Sequence, residues 1–140
     1  MERKMAARYH PDFVNELFQK KDVFGLSRLF HALATKGEIP HSCTLFNAVL
    51  HWVSNTRSGT WTYYESTSLH LQQAVYESLV LSQELNFLAD RYRFGMENWQ
   101  TKHCLNDLDS WLESNEKTIH QCLLDLVSLD KAIVVRLAVE

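Results

Sequence analysis

The chain has 140 residues, 46% of them hydrophobic and 22% charged, with a formal net charge of −3. That is enough for one domain, residues 1–140, with a core that needs no staples, and the charge gives no argument for nucleic acid or an acidic substrate. Four glycines and two prolines are too little turn punctuation for a sandwich or barrel and favour helices.

Pro11-Asp12 opens a helix over residues 11–21, with Phe13, Leu17 and Phe18 as its apolar stripe. Asp22 is placed to cap a second helix, in which Val23, Leu26, Leu29, Phe30 and Leu33 recur every three or four residues until Lys36-Gly37 stops it. Gly25 costs that helix about 1 kcal/mol relative to alanine and invites a close crossing. After a loop ending at Pro40, residues 44–57 form a helix apolar over most of its circumference. Phe46, Val49, Leu50 and Val53 share one face, and Leu45, Ala48 and Trp52 an adjoining one. Such a helix belongs among neighbours rather than on a surface. Ser58-Gly59 ends it, and the aromatic residues Trp61, Tyr63 and Tyr64 follow.

Ser66-Thr67-Ser68 offers capping hydroxyls to a helix over 69–81 that faces inward through Leu71, Val75 and Leu79. A further helix over 82–94 turns Leu85, Leu88 and Tyr92 inward and stops at Gly95, leaving 96–105 as a connection. Asn106 is placed to cap a long helix carrying Leu108, Leu112, Ile119, Leu123 and Leu126, with Asp107 and Asp109 in its first turn, where carboxylates suit the helix dipole. A hitch at Ser114-Asn115 could divide it. Residues 132–139 read as a terminal helix, since no partner strand is evident. The expectation is an all-α bundle of five to seven helices in a single domain, packed around the buried central helix 44–57.

Three sets of residues are candidates for function. Asn47, His51 and Asn55 form the polar strip of the central helix and could line a pocket for a small ligand or a hydrolase, with His51 titrating near neutrality; the bland reading is a solvent-facing side. Arg57, Ser58, Gly59, Trp61, Tyr63, Tyr64 and Glu65 read as an interaction loop, because Arg, Trp and Tyr dominate interface hot spots, or else as core. Asp109, Glu113 and Glu116, at i, i+4 and i+7, could imitate a phosphate backbone and act as a DNA mimic, or simply form a solvated face.

No catalytic, cofactor or metal motif stands out. His41/Cys43, His103/Cys104 and His120/Cys122 are pairs spaced so that neither member can join the other on one metal from a helix, and no C-x-x-C occurs. Three cysteines suit a reducing, cytoplasmic setting; the N-terminus has no apolar stretch of a secretory signal, and no run approaches membrane-spanning length. Residues 1–36 hold seven Lys/Arg against four Asp/Glu, whereas 106–130 hold six Asp/Glu against one lysine. That polarity can guide association with another protein or a second copy as a homodimer.

The stretch Ser58-Gly59-Thr60-Trp61-Thr62-Tyr63-Tyr64-Glu65-Ser66, with Leu108-Asp109 and Trp111 later, resembles a bacterial family of small helical proteins of uncharacterised function. That family includes a DNA-mimic protein. It typically shows Gly-Gly-Phe, one variable residue, then Gln-Tyr-Phe; Gly59 and Tyr63-Tyr64 match, while Ser58, Thr60 and Thr62 depart. The resemblance covers residues 44–130 and implies an all-helical domain, self-association and action by binding another protein. The leading expectation is therefore a protein-binding domain of inhibitor, immunity or regulatory type rather than an enzyme. It would need no cofactor, and neither direct nucleic-acid binding nor a membrane is expected.

Overall fold

Helices account for all the regular structure of residues 8–140, the part that the computed structural model describes; for 102–104 the description stops at the backbone. They are α1 (Pro11–Gln19), α2 (Val23–Ala34), α3 (His41–Val53), α4 (Trp61–Ser66), α5 (Leu69–Leu81), a 3-10 turn (Asn86–Leu88), α6 (Ala89–Asn98), α7 (Lys102–Ser114), α8 (Glu116–Ser128) and α9 (Lys131–Val139). None among the described residues is long and apolar enough to cross a membrane. The chain divides into two compact units. One takes the residues up to Asn47 together with Leu124–Glu140, and the other takes Ala48–Leu123.

In the first unit Asp22 caps α2 as its side chain predicts, its Oδ1 accepting from the Gly25 amide at 2.9 Å. Gly25 lets α1 come close: a β-carbon there would stand 2.8 Å from Leu17 Cδ2. Val14 and Leu17, rather than Phe13, are the buried side of α1, and Phe13 is exposed. The ring of Phe30 meets Phe46 edge-on, with centroids 5.2 Å apart. Ser42 Oγ donates to Asp130 Oδ2 at 2.6 Å, Lys36 Nζ donates to the Leu137 carbonyl at 3.0 Å, and the Tyr9 amide donates to the Ala138 carbonyl at 2.9 Å.

The apolar faces of the central helix are buried: Leu45, Phe46, Val49, Leu50, Trp52 and Val53 are all at most 4% exposed. Its bounds are not 44–57. It starts at His41, because the Pro40 carbonyl accepts from the amides of Cys43 and Thr44. It ends at Val53, because the Asn55 amide bonds the Trp52 carbonyl and Asn55 Nδ2 takes the His51 carbonyl at 2.6 Å, closing the last turn ahead of Gly59.

In the second unit Ser68 caps α5, accepting from the Leu71 amide at 3.1 Å. Gln72, Val75 and Leu79 are the inward face of α5, and Leu71 is exposed. Gly95 does not stop a helix; it lies inside α6. The connection expected over 96–105 shrinks accordingly to residues 99–101, and Asn106 is an interior residue of α7 rather than its cap. Asp107 and Asp109 therefore lie beyond the first turn. Asn115 does divide the long helix: its amide bonds the carbonyls of Trp111 and Leu112, and its Nδ2 bonds the Trp111 carbonyl at 2.8 Å. This division, together with α4, raises the number of α-helices among the described residues to nine, above the five to seven expected.

Candidate functional site

The aromatic residues after Gly59 fold as the short helix α4 and point two tyrosines into the core. Tyr63 and Tyr64 are 2% and 1% exposed. Tyr63 and Tyr92 share a hydrogen bond between their hydroxyls at 2.6 Å, and the Tyr64 hydroxyl donates to the Tyr92 carbonyl at 2.9 Å. The three rings meet with centroids 5.2 to 5.9 Å apart, and Trp52 packs edge-on against Tyr92 at 5.0 Å. Gln72 Nε2 donates to the carbonyls of Tyr64 and Thr67, tying α5 to the end of α4. Burial pushes all three phenols above the ordinary tyrosine range. Tyr63 and Tyr64 are thus framework and cannot serve as an interaction loop. Glu65 is exposed beside them.

The rest of that loop is placed against α7. Gly59 has φ of +95°, and a β-carbon there would meet Trp61 Cδ1 at 2.6 Å, so the indole lies over the glycine. Thr60, fully buried, donates from its amide (3.0 Å) and its hydroxyl (2.5 Å) to Asp109 Oδ1. Arg57, Ser58 and Trp61 on the turn face Asn106, Asp109 and Ser110 on α7 across an open groove of about 370 Å³. Residues 58–66 and 108–111 meet at this Thr60–Asp109 contact.

That contact also dismantles the expected acidic row. Asp109 is half-buried and occupied by Thr60; Glu113 is exposed on α7; Glu116 is the first residue of α8, past the Asn115 break, so the three do not share one helix. Of the polar strip, Asn47 is half-buried in the first unit. His51 is exposed in the second, its ring 5.4 Å from that of Tyr63, and Asn55 is used locally by the His51 carbonyl and by Thr62 Oγ1 (3.2 Å). Of the His/Cys pairs, the side chains of His103 and Cys104 lie outside the described residues. Cys43 is buried, and burial pushes its thiol up to about 12.

A more apolar cleft of the second unit lies elsewhere. Phe87, Arg91 and Phe94 line a cleft of about 440 Å³ together with Asp90 on α6 and Asp107 and Leu108 on α7. The Arg91 guanidinium sits 4.1 Å above the centre of the Trp111 ring, which is 6.5 Å from that of Phe87. Phe87 and Phe94 are 41% and 40% exposed, apolar area that the fold leaves in water beside the cleft.

The chain matches no protein-family model, no curated protein and no solved structure.

Sequence reasoning passed over this cleft, although a signal was present. Phe87, Arg91 and Phe94 fall at i, i+4 and i+7, beside the buried set Leu88, Tyr92 and Gly95 at the same spacing. Reading both stripes together would have marked the first as the surplus apolar face.

Proposed function

We propose that this chain is a protein-binding helical domain and that the cleft between α6 and α7 is its contact surface. The observation that carries this reading is the pair of exposed rings Phe87 and Phe94 beside half-buried Trp111, with Arg91 stacked on its indole. Aromatic and arginine side chains at a concave, partly apolar site are the composition of interface hot spots. The Arg91–Trp111 stack holds two long side chains in place before any partner arrives, which lowers the ordering cost of association. The family resemblance at residues 58–66 and 108–111 points the same way, because it implies action by binding another protein.

The test is a photo-cross-linking residue placed singly at positions 87, 94, 24 and 70 in cells that express the chain. Positions 24 and 70 are exposed controls on α2 and α5. Adducts with one and the same protein from 87 and 94, and not from 24 or 70, are expected. Identical adducts from all four positions, or none from 87 and 94, would overturn the proposal.

A further inference from the structure

Asp90 and Asp107 stand on the lip of the same cleft, both exposed, one from each of its helices. Among the described residues neither carboxylate has a hydrogen-bonding or ionic partner. The cation that lines the cleft with them, Arg91, is engaged with the Trp111 ring. The floor therefore carries two carboxylates at its edges that, among the described residues, no ion pair engages. Bringing an apolar partner down on such a floor desolvates the carboxylates, and an acidic or neutral partner leaves them unpaired at a cost. A partner with basic groups beside its apolar side chain turns that cost into two ion pairs at the rim.

Resting on the reading of the cleft as a protein-binding surface, we infer that its occupant is a peptide segment of a partner protein in which an aromatic or leucine anchor is flanked by lysine or arginine. The apolar anchor fills the space between Phe87 and Phe94. The flanking cations meet Asp90 and Asp107. The carboxylates select the partner and speed encounter, while the aromatic floor supplies most of the affinity.

Three synthetic peptides, each with a Trp-Leu anchor and flanked by lysines, glutamines or glutamates, would be titrated into the full chain and followed by fluorescence anisotropy. They would be titrated likewise into D90N/D107N and F87S/F94S, with circular dichroism confirming that both variants fold. The lysine peptide is expected to bind roughly five- to tenfold more tightly than the glutamine peptide, the worth of two rim ion pairs, with the glutamate peptide weakest. D90N/D107N should erase that preference and leave the glutamine peptide's binding unchanged; F87S/F94S should abolish binding of all three. If lysine and glutamine peptides bind alike and both are lost in F87S/F94S, the surface stands and its preference for a basic partner is overturned. A lysine preference that survives in D90N/D107N overturns it too. If no peptide binds, the surface itself falls. Self-association of the chain that F87S/F94S removes would name a second copy as occupant and overturn the inference as well.

Discussion

The phenol of Tyr64 occupies the space that a β-carbon would take at Gly95: the hydroxyl, Cζ and Cε2 of the ring all lie on that position. The hydroxyl is also held by the Tyr92 carbonyl, one turn earlier on α6. In an open helix, alanine in place of glycine would gain about 1 kcal/mol. Here the ring is 1% exposed and tethered, so it cannot swing aside cheaply. Gly95→Ala is expected to destabilise the protein by about 1–3 kcal/mol, as overpacking does. Urea denaturation checks the sign, and the penalty should shrink in a Tyr64→Leu background, where the two changes couple.

Asp109 supports the turn at Gly59 through two hydrogen bonds to buried Thr60. Asp109→Ala should cost about 2 kcal/mol, because bonds to a charged acceptor are lost and a buried amide is left unpaired. Glu113→Ala and Glu116→Ala, at exposed positions, should each stay within about 0.5 kcal/mol of the parent. Hydrogen exchange offers a local readout, with the Thr60 amide losing protection in Asp109→Ala. Equal effects from all three variants would count against the turn-holding role.

The Tyr63–Tyr92 hydroxyl pair predicts a coupled response. Tyr63→Phe leaves the Tyr92 hydroxyl buried without its partner. Tyr92→Phe leaves Tyr63 with the Thr67 side chain as a second hydrogen-bonding neighbour. Tyr63→Phe should therefore be the costlier change, at about 1–2 kcal/mol, and the double variant should cost less than the sum of the two. Simple additivity in denaturation midpoints would show that the hydroxyls do not act as a pair.

Alkaline pH should weaken the fold through its buried thiol and phenols. Burial raises the Cys43 thiol from 9.0 to about 12 and raises the phenols of Tyr63, Tyr64 and Tyr92 above 10.0. These groups ionise more readily in the unfolded chain, which then binds fewer protons than the folded one, so stability falls as pH rises. The contribution is whole below the unfolded values, begins to drain near pH 9 through Cys43, and drains faster past pH 10 through the tyrosines. Urea midpoints measured at intervals between neutral pH and about pH 11 should follow that course. Cys43→Ala should remove the earliest part of the loss, and tyrosinate absorbance from the three phenols should appear only as the chain unfolds.

Much of the helical plan was legible because it rests on local chemistry. The buried face of α3 followed from Phe46, Val49, Leu50 and Val53, and the caps at Asp22 and Ser68 followed from side chains that reach back to nearby amides. The failures share a cause of another kind. Gly95 reads as a helix stop until Tyr64, distant in sequence, is placed on it. The residues of α4 include Thr, Tyr and Trp, indifferent helix formers over a single short stretch, and they are helical because two tyrosines are drawn into the core. Asp109 looked like one of a surface row because nothing near it in sequence reveals Thr60 as its donor. The α6–α7 cleft escaped for a different reason: Leu88 and Tyr92 read rightly as the inward face, and the parallel stripe of Phe87, Arg91 and Phe94 beside them goes unread.

The first unit is assembled from two stretches of chain with the whole of the second lying between them in sequence. During synthesis a ribosome that has released residues up to 123 has delivered every part of the second unit but only a fragment of the first. The long-range ties Ser42 to Asp130, Lys36 to Leu137 and Tyr9 to Ala138 must wait for residues 130–138. The contiguous unit is therefore free to form early, and the opening helices, with their exposed apolar sides, spend translation without their closing partners, which makes that interval the natural point of call for a chaperone.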